Sequence, residues 1–306
     1  MFQLTSENQE ALEAVVVKAS AEHERVSYRS NGIYRRTFCL GDHDPSYPDL
    51  FIKYNDNGTR RSEAEMLQRI YTLACNDGDA APHVPEPIHC FKGERALVYL
   101  VVRHIEREDV APDVLVAKAA SVVQWLRSKR YTADEPFGIQ PHSLVHHRLF
   151  KDRKAPLPFT NVLAAEKYFN TALNRIRRPV EPIVEISLTS EDVVLTQSDM
   201  DESNFGVAAD GRGILFDVAT IRGLPLSLAD YTLLRTTPFA KAVAECLFDP
   251  AEMEERLGTP TMKSLVEVRK QLRWTYDDSL GLDADGNVKY PPRLRSAPQP
   301  ASIESA

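Results

Sequence analysis

No apolar run in these 306 residues approaches the length needed to cross a membrane, and cysteine is scarce. The four thiols, Cys39, Cys75, Cys90 and Cys246, lie far apart with no C-x-x-C pair. That argues against a disulfide frame or a zinc site and points to reduced thiols inside a cell. The N-terminus, MFQLTSENQEALEA, has neither a basic leader nor an apolar core, so no secretory signal is expected. An excess of positive charge is missing too: 37 Lys and Arg face 44 Asp and Glu, a net charge of −7. Nothing global favours nucleic acid or an anionic membrane surface as a partner. There is no internal repeat. What remains, 43% hydrophobic and 26% charged residues, is ordinary for a soluble globular chain. The length suits two domains or one bilobal unit, and the expected location is the cytoplasm.

The most informative stretch runs from Leu195 to Asp217, LTQSDMDESNFGVAADGRGILFD. It reads as the end of an apolar strand (Val193 to Thr196), a polar loop with Asp199, and a short strand pair closed at Asp210-Gly211, a strong hairpin signal. Asn204 follows Asp199 by five residues, and Asp217 ends the apolar run Ile214-Leu215-Phe216. A loop carboxylate at a strand end can orient a substrate hydroxyl and accept its proton. A carboxamide oxygen and a second carboxylate suit Mg2+, a hard ion that prefers oxygen ligands. One base and two metal ligands on adjacent strand ends form the set needed for phosphoryl transfer from ATP.

This segment resembles the catalytic and metal loops of the aminoglycoside phosphotransferase and choline kinase superfamily, the small-molecule branch of the protein-kinase-like fold. The family pattern is His-Gly-Asp, four residues, Asn, then Asp after a hydrophobic strand. Here it stands as Gln197-Ser198-Asp199, Asn204 and Asp217, with Gln197-Ser198 replacing His-Gly and Val218-Ala219 following the last Asp. The family's His is mainly a scaffold, and Gln donates and accepts hydrogen bonds similarly. The resemblance covers about residues 24 to 277. It implies a bilobal α+β fold: a small antiparallel-sheet lobe with one packed helix over 1–104, a mainly helical lobe over 105–282, and a tail from 283 that composition marks as disordered.

Upstream, a helix is expected over 5–20, with Ser6 and Gln9 as a capping box. The alternating segment from Val26 to Leu40, broken at Asn31-Gly32, reads as a hairpin with Ser30, Asn31 and Gly32 at its tip. In the family this hairpin covers the ATP phosphates, although the tip here lacks a rich glycine pattern. Lys53 interrupts the apolar strand Leu50 to Tyr54. It is either the lysine that contacts the phosphates or a snorkelling edge-strand lysine. A helix over 60–75 with Ala64, Leu67, Ile70 and Tyr71 inward favours the first reading. The resemblance pairs Lys53 with Glu63 in that helix's first turn, with Glu65 as the fallback, although it points to nearly the opposite side. Residues 95–106 resemble the last small-lobe strand and the hinge. The adenine edge would bond to backbone around Arg103 to Ile105.

Pro112 opens a helix to about Arg127, and another is expected over 161–177. The intervening residues are loop-rich, where the superfamily builds its acceptor site. His142, His146 and His147 lie there, and a helix would put His142 and His146 on one face, with no third metal ligand evident. Leu149-Phe150-Lys-Asp and Ala155-Pro-Leu-Pro-Phe resemble fungal members of the superfamily. Helices follow over about 227–236, 238–248, 250–257 and 260–277, with Trp125 and Trp274 read as core.

The activity implied is ATP- and Mg2+-dependent transfer of a phosphoryl group to a hydroxyl of a small molecule. Asp199 is the base, Asn204 and Asp217 hold the metal, and Lys53 and Glu63 steady the phosphates. The acidic balance suits a cationic acceptor, such as an amino sugar or amino alcohol. A pseudokinase that binds nucleotide or a protein partner is the alternative. A protein kinase fits less well, because no Ala-Pro-Glu-like segment or activation loop follows Asp217.

Overall fold

The chain begins on a helix longer than its sequence pattern predicts. The computed structural model describes residues 6–31, 36–56, 59–93, 96–131, 144–179 and 182–289. Helix α1 spans Ser6–Asn31. Its buried positions Leu12, Val16, Ala19, Ser20 and Ser27 recur at helical spacing, so the inward face runs on past residue 20. The expected hairpin over 26–40 is corrected accordingly. Ser30 and Asn31 belong to the last turn of α1 rather than to a strand tip, and Gly32 lies outside the described residues. A few alternating residues fit either period. What decides between them is that Ser20 and Ser27 are both buried, two helical turns apart.

The small-lobe sheet is antiparallel throughout. It consists of β1 (Thr37–Cys39), β2 (Leu50–Asn55), β3 (Pro87–Lys92) and β4 (Val98–Arg103) in the order β1-β2-β4-β3. Helix α2 (Thr59–Asp77) connects β2 to β3. Side chains alternate across β4: Leu100 and Val102 join Met66, Leu67 and Ile70 of α2, while Tyr99 and Val101 join Leu12, Val16 and Ala19 of α1. The sheet is thus covered on both faces, which accounts for the unbroken apolar run of β4. Lys53 pairs with Leu100 and Phe51 with Val102, so both β2 side chains lie on the α2 face.

The larger lobe opens with α3 (Pro112–Arg127), which has proline in its first turn. Next come β5 (Arg130–Tyr131), α4 (Val162–Leu173, capped by Asn161) and β6 (Val193–Gln197). Strands β7 (Phe205–Val207) and β8 (Gly213–Leu215) form the expected hairpin, with Gly211 at φ 78° in its turn, a conformation open to glycine. Strand β9 (Ile221–Pro225) pairs with β6, and β6 with β5. Four helices close the lobe: α5 (Leu226–Arg235), α6 (Pro238–Leu247), α7 (Pro250–Gly258) and α8 (Pro260–Arg273). Thr237, Asp249 and Thr259 cap the last three, and α7 has a full capping box.

The result is a bilobal α+β architecture, a small antiparallel-sheet lobe and a larger mainly helical one, as the resemblance implied. Three details differ. Helix α8 stops at Arg273, so Trp274 is 88% exposed rather than core. Residues 283–289 form an ordered turn, held on the start of α4 by Thr160 N–H to Ala284 O and Thr160 Oγ1 to Asp285. His146 lies in an extended bridge with Lys154, not on a helix, and His142 lies outside the described residues. No helix among the described residues is long and apolar enough to cross a membrane.

Candidate active site

The site is assembled where the end of β6, the β7–β8 hairpin and the α2 face of the small-lobe sheet converge. Gln197, the last residue of β6, ties two loops together. Its Nε2 donates to Asp217 O at 2.5 Å, and its Oε1 accepts from Asp199 N–H at 3.2 Å and from the Thr220 hydroxyl. Thr220 Oγ1 also accepts from Asp199 N–H at 3.2 Å. Gln197 is buried, so these bonds are shielded from water. It thereby fulfils the scaffold role inferred for it from sequence.

Asp199 presents a half-exposed carboxylate beyond this scaffold, and its carbonyl accepts from Asn204 Nδ2 at 2.8 Å. That bond uses the amide's nitrogen end and leaves its oxygen available. Asp217 Oδ1 accepts from Ala219 N–H at 2.8 Å, while Oδ2 stands 3.9 Å from Lys53 Nζ. The Asn204 and Asp217 oxygens form an all-oxygen donor set on the wall of one cleft, chemistry that fits Mg2+. Among the described residues no group of three or more His, Cys, Asp or Glu could hold a metal. His147 is spent on structure: Nε2 bonds Leu228 O and the Thr232 hydroxyl, and Nδ1 accepts from Leu149 N–H.

Lys53 is 11% exposed and Glu63 2%. Their Nζ–Oε1 distance is 2.9 Å, and Nζ also donates to Phe216 O at 3.1 Å. Arg60 takes the other carboxylate oxygen of Glu63. The snorkelling edge-strand reading of Lys53 is not what is observed: β2 lies inside the sheet, and the lysine turns inward to pair with Glu63. Breaking a buried pair of this kind typically costs about 3–5 kcal/mol, because a charge is left uncompensated.

Lys53, Asn204, Asp217, Phe51, Arg103 and Ile105 line a cleft of about 900 Å³ between the lobes. Phe51 stacks on His104 with ring centres 6.1 Å apart, and both rings line this cleft. At the hinge, Arg103 N–H is spent on Glu86 O and His104 N–H on Asp49 O. Ile105 N–H has no partner among the described residues. Of the phosphate-hairpin residues, Ser30 and Asn31 lie in the last turn of α1, and Gly32 lies outside the described residues.

Sequence reasoning missed Arg148. Its Nη2 lies 3.3 Å from Asp199 Oδ1. The contact spans 51 positions with no local motif to announce it. Beside it, His146 has its pKa lowered, first by burial and then by the cations Arg222 and Lys154, against a raising effect of Asp199.

No protein-family model and no curated protein sequence matches the chain. Solved structures similar to it include aminoglycoside phosphotransferase APH(2'')-Ib with ADP bound, at 12% identity and TM-score 0.43, covering 78% of this chain and 88% of that one. The streptomycin–ATP–APH(2'')-IIa ternary complex aligns at 13% identity and TM-score 0.42, covering 94% and 99%. An aminoglycoside phosphotransferase from Alicyclobacillus acidocaldarius aligns at 12% and 0.39, covering 75% of each chain.

Proposed function

We propose that this chain transfers the γ-phosphoryl group of ATP to a hydroxyl of a small molecule. The observation that carries this reading is the buried Lys53–Glu63 pair, which reaches within 3.9 Å of Asp217 on the wall of a cleft that also holds Asn204. A cation held by a buried glutamate and aimed at a carboxylate across a cleft is costly for stability alone, and it is the arrangement that gathers phosphate oxygens.

In this reading Ile105 N–H meets the purine edge, Phe51 covers its face, and Lys53 steadies the phosphates while Glu63 holds it in place. Asn204 and Asp217 would hold Mg2+, which supplies charge neutralisation for the phosphates. Asp199 orients the acceptor hydroxyl and accepts its proton. The new bond forms between that oxygen and the γ-phosphorus as the bond to the β–γ bridging oxygen breaks, and ADP leaves.

The test is thermal unfolding with ATP plus Mg2+, with ATP plus EDTA and with no ligand. Saturation near 100 times the dissociation constant adds about 2.7 kcal/mol of stability, enough for a visible Mg2+-dependent rise. Absence of any shift at millimolar nucleotide would remove the reading. Asp199→Asn should keep that rise and lose about 10²–10⁴-fold in turnover.

A second reading, a pseudokinase without useful turnover, is favoured by one observation: α1 occupies the chain where the first strand of a phosphate-covering hairpin was expected. A wild-type chain that gives the Mg2+-dependent shift but releases no ADP with any acceptor would support it.

A further inference from the structure

Arg148 sits in a turn that is anchored more firmly than a surface loop requires. The turn closes on itself through His147 N–H to Arg153 O and Ala155 N–H to Val145 O. On one side the buried His147 ring bonds Leu228 O of α5. On the other, Arg269 of α8 donates to the carbonyls of Leu149 and Phe150, whose side chains are buried in the core. A residue held between two such anchors has a fixed backbone, which limits where its guanidinium can reach.

That guanidinium is under-used. It is 22% exposed, and its one hydrogen bond among the described residues is the 3.3 Å contact to Asp199. Its buried Nε has no partner among them. A guanidinium offers five donors in a planar fork suited to two oxygens of one anion. Neither Arg148 nor Asp199 is part of the wall that Lys53, Asn204 and Asp217 give to the nucleotide cleft. The fork thus meets the base from outside that wall, and an acceptor hydroxyl reaching Asp199 would come within its range. Lys154 and the buried Arg222 add positive charge around His146 there, against Asp199 and Asp201. Arg222 is largely spent on the carbonyls of Ala219 and Ile221.

We propose that Arg148 reads an anionic group on the acceptor, a carboxylate or a phosphate ester, so that the substrate is an acidic hydroxyl compound and not an amino sugar. This inference rests on the phosphotransfer reading for its choice of acceptor. In the free protein Arg148 occupies Asp199 Oδ1. When the acceptor's anion takes the fork, that oxygen is released to accept the hydroxyl's proton, so the base is uncovered only by a substrate of the right charge. Arg148 is a specificity-determining residue, and Asp199 remains the group that takes the proton.

The experiment uses the full chain with Mg2+ and a non-hydrolysable ATP analogue. Glucose, glucosamine, glucuronate and glucose 6-phosphate, one ring carrying four different charges, are titrated calorimetrically at millimolar concentration. We expect the better of the two anions to bind about tenfold tighter than glucose or glucosamine. The carboxylate and phosphate arms show which anion is preferred. In Arg148→Gln that advantage should vanish, with nucleotide affinity unchanged; Arg148→Lys, which keeps the charge and loses the fork, should retain part of it. Preference for glucosamine, no binding of either anion, an anion preference that survives Arg148→Gln, or a loss confined to nucleotide affinity would each overturn the proposal. The four compounds are then offered with ATP. Arg148-dependent anion binding without ADP formation would remove the transfer reading and leave the anion site standing. ADP formation with glucosamine favoured would do the reverse.

Discussion

His147 shows how a histidine in a stretch expected to build the acceptor site can be structural in the fold. Complete burial pushes its pKa down from 6.5 to about 4, and its tautomer is set by Nε2 donating to Leu228 O while Nδ1 accepts from Leu149 N–H. The unfolded chain binds a proton at this ring below about pH 6.5, whereas the folded chain resists it until about pH 4. Its contribution is therefore complete above pH 6.5 and lost as pH falls towards 4. At about 1.4 kcal/mol per pH unit, the loss reaches about 3 kcal/mol. Urea midpoints measured from pH 7 to pH 5 should fall in the wild type. His147→Gln should start lower, having lost ring contacts, and fall less steeply. Parallel curves would mean that His147 does not titrate as a buried neutral ring. Arg148, the next residue, was not legible for the opposite reason: its partner Asp199 comes from a distant part of the chain, and sequence periodicity carries no information about such a meeting. Asp199, Asn204 and Asp217 were legible because their spacing is local and each sits next to a strand whose pattern is plain.

Elements whose apolar period is long and whose ends are marked came through the sequence almost unchanged. Pro112 sets the start of α3, and Asp249 with Glu252 sets that of α7. Helix α1 did not come through, because its second half replaces large apolar side chains with serines on the buried face, and Ser20 and Ser27 give no hydrophobic signal. That half can be tested directly. Val26 is 51% exposed within α1, so substituting it disturbs little packing. Proline in a helix interior removes a hydrogen bond and clashes with the preceding turn, at about 3 kcal/mol or more. Val26→Pro should therefore lower stability by about that amount, while Val26→Ala, a better helix former, should be neutral or slightly stabilising. If the segment were the strand of a surface hairpin instead, Val26→Pro would cost much less and Val26→Ala would destabilise. Chemical denaturation of the three proteins separates the two cases. The outcome also bears on the proposed function, since a helix here would leave phosphate binding in that proposal to Lys53 and the residues proposed to hold Mg2+.

At the scale of the molecule, the two lobes share one core. Met66, Leu67, Ile70, Leu100 and Val102 of the small lobe are continuous with Val122, Leu126 and Leu195 of the large one. Backbone bonds cross the same seam, with His83 N–H to Gly213 O at 2.8 Å and Leu215 N–H to His83 O at 2.9 Å. Trp125 of α3 adds a side-chain tie, donating from Nε1 to Asp77 Oδ2 at 2.7 Å at the end of α2. A chain of this length with two lobes would ordinarily be expected to unfold in stages. The shared core predicts otherwise: losing the small lobe would strip apolar cover from the part of that core the large lobe contributes, so neither lobe has a stable state alone. The two tryptophans make this measurable. Trp274 is almost fully exposed, so Trp274→Phe should cost little and leave Trp125, on the seam, as the sole indole. In that variant, Trp125 fluorescence and far-ultraviolet circular dichroism should give one urea midpoint, and ATP with Mg2+ should move both together. If the fluorescence transition came first, the seam would open before either lobe melts. The apolar contacts across the seam would then be a docking surface between separately stable units, and the cleft would be free to open and close without unfolding.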